Sequence, residues 1–201
     1  MNAKDGMKEL ERRIQLYIKR TLQDIRVEAA DEFDRNFERE AFFNQKWQRR
    51  KWRDDESRGL LVQTGALRRS INLGQTPRFA QIQGNRITFQ SDLPYARIHN
   101  EGGEIKVTRK MQKYFWYRYL TITGNRKGTF SSQLQRKKNG SLRNNKRNRR
   151  LSDEAEFYRA MALKRVGSSI IIPSRRFVGD HPKLQELIRE IAIANTHYIT
   201  D

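Results

Sequence analysis

An apolar stripe along residues 7–37 constrains the fold of this chain more than any other feature. Its members recur at intervals of three or four residues, and they are Met7, Leu10, Ile14, Ile18, Leu22, Ile25, Ala29, Phe33 and Phe37. This spacing places them on one face of an α-helix. Because no proline or glycine interrupts the run, the sequence predicts one helix roughly 45 Å long. Such a helix packs either on the chain's own sheet or, in part, on a neighbouring subunit.

Composition narrows the fold and function classes. A chain of 201 residues with 36% hydrophobic content can bury one ordinary core, so we expect a single domain over residues 1–201. The net charge of +19 indicates polyanions or acidic protein surfaces as partners. The lack of cysteine excludes disulfides, thiolate metal sites and cysteine catalysis, and it is typical of a reducing cytoplasm. We expect neither a signal peptide nor a transmembrane segment.

Aromatic and basic residues alternate in the segment after the helix, residues 42–59. We predict an ordered loop whose Trp47 and Trp52 anchor it to the domain, because a large ring with one N–H donor suits a half-buried site. Stacking of these rings on nucleic-acid bases is the alternative.

The first of three punctuated motifs reads LVQTGALRRSI, residues 61–71. Thr64 is predicted to cap a short helix that begins at Gly65. Leu67 and Ile71 then share its buried face. Arg68 and Arg69 project outward, where they either remain solvated or bind a partner's carboxylate or phosphate.

The second motif reads YARIHNEGG, residues 95–103. It predicts a short helix that starts near Pro94 and ends at Gly102-Gly103, with Tyr95 and Ile98 facing inward. His99 lies on the same side as Tyr95, and we interpret it as a structural histidine.

The third motif reads IIPSRRFVG, residues 171–179. It closes a predicted strand over 169–172, which Pro173 ends. None of the three motifs pairs a nucleophile with a base, so they are typical of a structural surface and not of a catalytic site.

Further elements follow from local signals. Residues 78–83 and 86–91 predict a hairpin around Gly84-Asn85, and residues 105–107 a strand. Helices are predicted over 109–122, from an N-cap at Asp153 to about Lys164, and after an N-cap at Asp180.

Residues 123–152 differ from the rest of the chain, because they contain ten basic and no acidic residues. We predict a flexible basic insertion. Contact with DNA, contact with an acidic protein and plain solvation remain open for it. Its basic residues are Arg126, Lys127, Arg136, Lys137, Lys138, Arg143, Lys146, Arg147, Arg149 and Arg150.

The strongest candidate for catalysis is His99-Asn100-Glu101 with Glu104, which could bind a divalent metal and make the chain a nuclease. No second ligand cluster supports it, and the sequence has no P-loop and no nucleophile elbow. We therefore expect no enzymatic activity and no cofactor.

A family resemblance connects the motifs. A long N-terminal helix, then Trp47, then the three motifs in this order and a C-terminal helix, resembles the phage virion morphogenesis family, the tail-completion and neck proteins of tailed bacteriophages. The motif positions that carry it are Leu61, Thr64-Gly65-x-Leu67-Arg68-x-Ser70-Ile71, Tyr95-Ala96-x-Ile98-His99 and Ile172-Pro173-x-Arg175-x-Phe177-x-Gly179.

The resemblance implies an α+β fold, with an antiparallel sheet flanked by the first and last helices. It implies a structural virion protein at the head–tail junction, in the host cytoplasm during assembly, that forms a ring, expected to be a hexamer, around the DNA channel. Its partners would be the head connector or adaptor, the tail terminator or tail tube, and packaged DNA. We expect subunit or ring contacts from Arg68, Arg69, Arg175 and Arg176, and a fold-holding role for Trp47, Tyr95, His99 and Phe177.

The resemblance does not cover residues 123–152. Two other functions stay open from the sequence: a basic nucleic-acid-binding protein without sequence specificity, and the metal-dependent nuclease.

Overall fold

The computed structural model describes residues 3–49, 59–125 and 128–200. Its helices are α1 Ala3–Arg39, α2 Ala66–Ser70, α3 Ala96–Glu101, α4 Arg109–Thr123, α5 Lys146–Ala162, α6 Pro182–Ala194 and α7 His197–Thr200, with a 3₁₀ turn at Pro77–Phe79. Its strands are β1 Ala41–Phe42, β2 Gln45–Lys46, β3 Ala80–Gln83, β4 Arg86–Phe89, β5 Gly103–Lys106 and β6 Ser169–Ile172. The helix predicted over 109–122 and the strand that ends before Pro173 are confirmed. Trp52, Arg126 and Lys127 lie outside the described residues.

The predicted α+β class is confirmed, and the described strands pair antiparallel. They form three separate two-stranded sheets, β1–β2, β3–β4 and β5–β6, rather than one sheet. The predicted hairpin is the β3–β4 pair, and Gly84 at its turn has a φ of 59°, which glycine adopts without steric cost.

The described residues pack as two compact units. The first contains residues 3–48, 59–101 and 174–200, and the second contains residues 49, 102–125 and 128–173. Each unit has its own apolar core. The structure thus divides a chain that the sequence predicted as one domain over residues 1–201.

Helix α1 confirms the predicted long helix, but its apolar stripe has two different environments. Toward its C-terminal end, Phe33 and Phe37 are buried in the core of the first unit. Toward its N-terminal end, Met7, Leu10 and Ile14 remain exposed, at 66%, 50% and 38%. The chain's own core therefore covers only part of the stripe.

Aromatic rings build the core of the first unit. Phe33 meets the rings of Phe79 and Phe89 edge-on, with centroids 6.5 Å and 5.2 Å away. Phe37 meets the Trp47 ring edge-on at 5.5 Å and lies 5.2 Å from the Phe177 ring. Such pairs add to the free energy gained from burying the rings.

Helices α4 and α5 pack against each other as the centre of the second unit. Gln112 near the start of α4 bonds the carbonyl of Lys164, and Arg118 further along pairs with Glu154, so the two helices run antiparallel. The predicted N-cap at Asp153 is wrong, because α5 begins at Lys146. There the side chain of Asn145 accepts a hydrogen bond from the Asn148 N–H at 2.8 Å.

Helix α6 also begins differently from its prediction. The cap is His181, whose Nδ1 accepts from the Lys183 N–H at 3.2 Å, and Pro182 lies in the first turn. Asp180 accepts hydrogen bonds from the Gln185 side chain instead. Among the described helices, none is both long and apolar enough to cross a membrane.

Candidate functional site: a motif-built scaffold and its exposed basic groups

Residues 174–178 of the third motif form an extended segment of the first unit that is tied down on two sides. On one side, α3 supplies the acceptor for the Arg175 N–H, which donates to the carbonyl of His99 at 2.8 Å. The Ser174 hydroxyl donates to the carbonyl of Asn100, also at 2.8 Å. The end of the second motif thus holds the third motif in place.

Asn100 makes the central contacts of this arrangement. Its Oδ1 accepts from the N–H groups of Phe177 and Val178, at 2.9 Å and 3.0 Å, and its Nδ2 donates to the Val178 carbonyl at 3.0 Å. One side chain therefore pairs three backbone groups that no sheet or helix partner satisfies.

The opposite side of the segment is held by α1 and the residues that follow it. Asn36 is fully buried and donates to the Phe177 carbonyl at 3.1 Å, while its Oδ1 accepts from the Phe43 N–H at 2.9 Å. The Trp47 indole N–H donates to the Arg176 carbonyl at 2.7 Å. The predicted anchoring role of Trp47 is confirmed.

The three motifs meet in one core. Leu67 and Ile71 of the first motif, Ala96 of the second and Phe177 of the third are all buried in the same apolar cluster. Tyr95 is different, because it is 40% exposed, so its predicted inward orientation is wrong and Ala96 takes the buried place.

Thr64 and Gly65 of the first motif start its helix. The N-cap of α2 is Gly65, with φ 72°, and the Thr64 hydroxyl accepts a hydrogen bond from the N–H of Ala66, the first residue of the helix, at 3.4 Å. Glycine adopts this left-handed backbone conformation without steric cost, so Gly65 allows the chain to turn into α2. The Thr64 hydroxyl thus accepts an N–H at the start of α2 as predicted, whereas the N-cap position belongs to Gly65.

Two of the four arginines expected at subunit contacts are used inside the first unit. Arg68 forms a fork with Asp34, at 2.8 Å and 2.6 Å, and a further ion pair with Glu38 at 2.6 Å. The hydrogen bond to Asp34 is the main reason that the pKa of Arg68 is raised. Arg175 is buried and donates to the Gln48 carbonyl, so the outward orientation expected for it is wrong.

The other two arginines are exposed. Arg69 lies on the solvent side of α2, and the guanidinium of Arg176 lies 5.0 Å from the centre of the Phe42 ring. Arg69 and Arg176 thus remain available as outward contacts of the first unit.

His99 is half-buried and faces a positive charge. Burial, reinforced by Arg175, lowers the pKa of His99 below its ordinary value. Its Nδ1 has no hydrogen-bond partner among the described residues, and the Tyr95 ring approaches edge-on at 6.0 Å. The neutral ring is therefore the favoured form.

The residues of the candidate metal site have other partners. Asn100 is committed to the third motif, Glu101 pairs with Arg97 at 2.9 Å, and Glu104 pairs with Ser169 and Lys106. Across the part of the chain that the structure describes, no group of three or more His, Asp or Glu side chains could hold a metal ion.

A concavity of the first unit lies between the second and third motifs. Its volume is about 180 Å³, and Phe79, Phe89, Ala96, Asn100 and Phe177 contribute to its lining. A space of that size is smaller than an ordinary ligand pocket.

The described basic residues of the insertion are exposed, namely Arg136, Lys137, Lys138, Arg143, Lys146, Arg147, Arg149 and Arg150. Their backbone follows a turn rather than an unpatterned loop. The side chain of the buried Asn148 accepts a hydrogen bond from the Gln135 N–H and donates one to the Gln135 carbonyl. It also donates to the carbonyl of Arg143. The expectation of a loop up to residue 152 is wrong from Lys146 onward, because α5 has begun.

No protein-family model, curated protein or solved structure matches this chain.

Proposed function

We propose that this chain is a structural subunit of the head–tail interface of a tailed phage, a tail-completion or neck protein that assembles as a ring around the DNA channel. The resemblance of the three motifs suggests the family. The role that these motifs have here is consistent with it, because they build a scaffold and leave Arg69 and Arg176 on its surface.

The exposed start of α1 is the observation that carries the proposal. Met7, Leu10 and Ile14 continue the stripe that is buried at Phe33 and Phe37, yet their own unit does not cover them. Exposure of a row of apolar residues to water is unfavourable, so these residues favour burial against another protein surface. A second copy of the chain is the partner that we propose. Identical subunits that pack heterologously form a ring when the rotation between them closes.

The expected neighbours are those of the family: a head connector or adaptor on one side, and a tail terminator or tail tube on the other. Arg69 and Arg176 are the contacts that we propose for them. The proposed role requires no enzymatic activity and no cofactor.

Electron microscopy of purified particles and of the isolated protein tests the proposal. A symmetric ring, located at the head–tail junction, is the expected result. A strict monomer that is absent from virions would refute it.

A pair of matched variants connects the ring to α1. Leu10→Glu with Ile14→Glu adds two charges to the exposed stripe and should prevent the ring, because two charges would be buried in the subunit contact. Gln15→Glu with Gln23→Glu adds the same charge at exposed polar positions of α1 and should leave the ring intact. Sedimentation velocity distinguishes the two outcomes, and equal behaviour of both pairs would exclude α1 as the contact.

A further inference from the structure

The positive charge of this protein is concentrated in one part of the chain. Residues 102–173 contain 18 Lys and Arg against 4 Asp and Glu, which is a net charge of +14 out of +19. The second unit is therefore strongly basic, whereas the rest of the sequence is nearly balanced. A surface of this kind attracts polyanions from a distance.

Helix α4 presents aromatic rings on the surface of this basic unit. Its inner face packs on α5 through Phe115, Tyr119 and Ile122. Three other rings of the helix stay in solvent: Tyr114 is 51% exposed, Trp116 38% and Tyr117 54%. Large exposed rings that are grouped on one helix mark an interaction surface.

Two of the exposed rings contact neighbouring aromatic rings. The Trp116 ring meets the Tyr119 ring edge-on at 5.7 Å, and the Tyr117 ring meets the Phe130 ring edge-on at the same distance. Rings that are positioned before binding lose little conformational freedom when a partner stacks on them.

Lysines surround these rings and are not neutralised. Lys110 and Lys113 lie one helical turn before Tyr114 and Tyr117, and both are exposed. Among the described residues, no carboxylate forms an ion pair with either lysine. Two exposed lysines thus precede the exposed rings along α4.

The exposed basic residues of 136–150 add further positive charge to the same unit. Because α4 and α5 run antiparallel, the start of α5 lies beside the end of α4, and it contributes Lys146, Arg147, Arg149 and Arg150. The bonds of Asn148 fix the turn that presents Arg136 and Arg143. The unit therefore combines a ring platform with a charged path.

We propose that the exposed face of α4 binds single-stranded nucleic acid. Unpaired bases stack on Tyr114, Trp116 and Tyr117, while Lys110, Lys113 and the exposed basic residues of 136–150 neutralise the phosphates. A duplex keeps its bases stacked on each other, so it does not make use of the rings. This binding belongs to the second unit and does not depend on the proposed ring.

The test compares two ligands of equal charge with the full chain. A labelled oligothymidylate of roughly 20 nucleotides and an abasic strand of the same length are titrated by fluorescence anisotropy. The wild type should bind the strand with bases at least about tenfold more tightly, since stacking adds to the phosphate contacts. Equal affinity for both strands, or tighter binding of an equal-length duplex, would overturn the proposal.

Variants assign the binding to α4. Tyr114→Ala with Tyr117→Ala should remove the preference for the strand with bases, and Tyr114→Phe with Tyr117→Phe should retain it because both rings remain. Tyr95→Ala removes a ring of similar exposure in the other unit and should leave binding unchanged. Circular dichroism checks the fold, and Trp116→Leu replaces the double alanine variant if that variant unfolds. A preference that survives the loss of the rings refutes the assignment.

Salt dependence tests the lysines separately. Lys110→Gln with Lys113→Gln should reduce the slope of log affinity against log salt by about 1.4, which is about 0.7 for each lost phosphate contact. An unchanged slope would exclude these lysines from the binding surface, and with it the proposal.

Discussion

The side-chain oxygen of Asn100 accepts a hydrogen bond from the backbone N–H of Phe177 at 2.9 Å, across 77 positions of sequence. The same oxygen also accepts from Val178 at 3.0 Å. The second and third motifs, which the sequence presents as separate stretches, are thereby one structural feature. Asn100 replaces the strand neighbour that the extended segment lacks.

Replacing Asn100 with alanine should destabilise the first unit by about 2–4 kcal/mol, because three backbone groups lose their partner at once. Urea unfolding measures the change. Gln23→Ala removes an exposed amide of α1 and should change stability by less than about 0.5 kcal/mol. Equal effects of the two substitutions would show that the Asn100 bonds contribute nothing net.

Replacing Trp47 with phenylalanine should cost about 1–2 kcal/mol, because the Arg176 carbonyl loses its donor while a ring stays beside Phe37. The matched control is Trp116→Phe, at an exposed position of α4, with a change within about 0.5 kcal/mol. Thermal unfolding of both variants checks this. A loss at Trp116 as large as that at Trp47 would contradict the anchoring role.

Local patterns in the sequence were sufficient for the elements whose causes are local. The three- and four-residue spacing of α1, the Gly84-Asn85 turn and the end of β6 at Pro173 each depend on neighbours within a few positions. Helix starts were harder, since several residues near each start could cap it. Helix α5 is capped by Asn145 and not by the predicted Asp153, and α6 is capped by His181 and not by the predicted Asp180.

The contacts that join the motifs depend on residues far apart in sequence, and no spacing rule reveals them. Asn36 is an example: it is a polar residue between Phe33 and Phe37 on the buried side of α1. Its position is a signal that was available, because a polar group there needs buried partners. Arg175 shows the opposite error, since its charge predicted exposure and its side chain is buried.

The stability of the first unit should depend on pH through His99. Since burial and Arg175 lower its pKa in the folded state, the unfolded chain binds a proton more readily. The free energy of unfolding is therefore not reduced by His99 above the unfolded-state pKa of about 6.5, and it falls as the pH drops below that value. His99→Gln should flatten this part of the curve, measured by urea unfolding between about pH 7.5 and pH 5. A wild-type slope in His99→Gln would exclude His99 as its source.

The fork between Arg68 and Asp34 should stabilise the attachment of α2 to α1 rather than serve a neighbouring subunit. A double-mutant cycle with Arg68→Ala and Asp34→Ala should give a coupling free energy of about 0.5–1 kcal/mol, because the pair is partly exposed although its geometry is bidentate. Added salt should reduce this value, since screening weakens exposed ion pairs. The same cycle with Arg69 in place of Arg68 should give no coupling to Asp34, because Arg69 lies on the solvent side of α2. If Arg68→Ala removes assembly at unchanged stability, Arg68 acts between subunits and the contact with Asp34 is secondary.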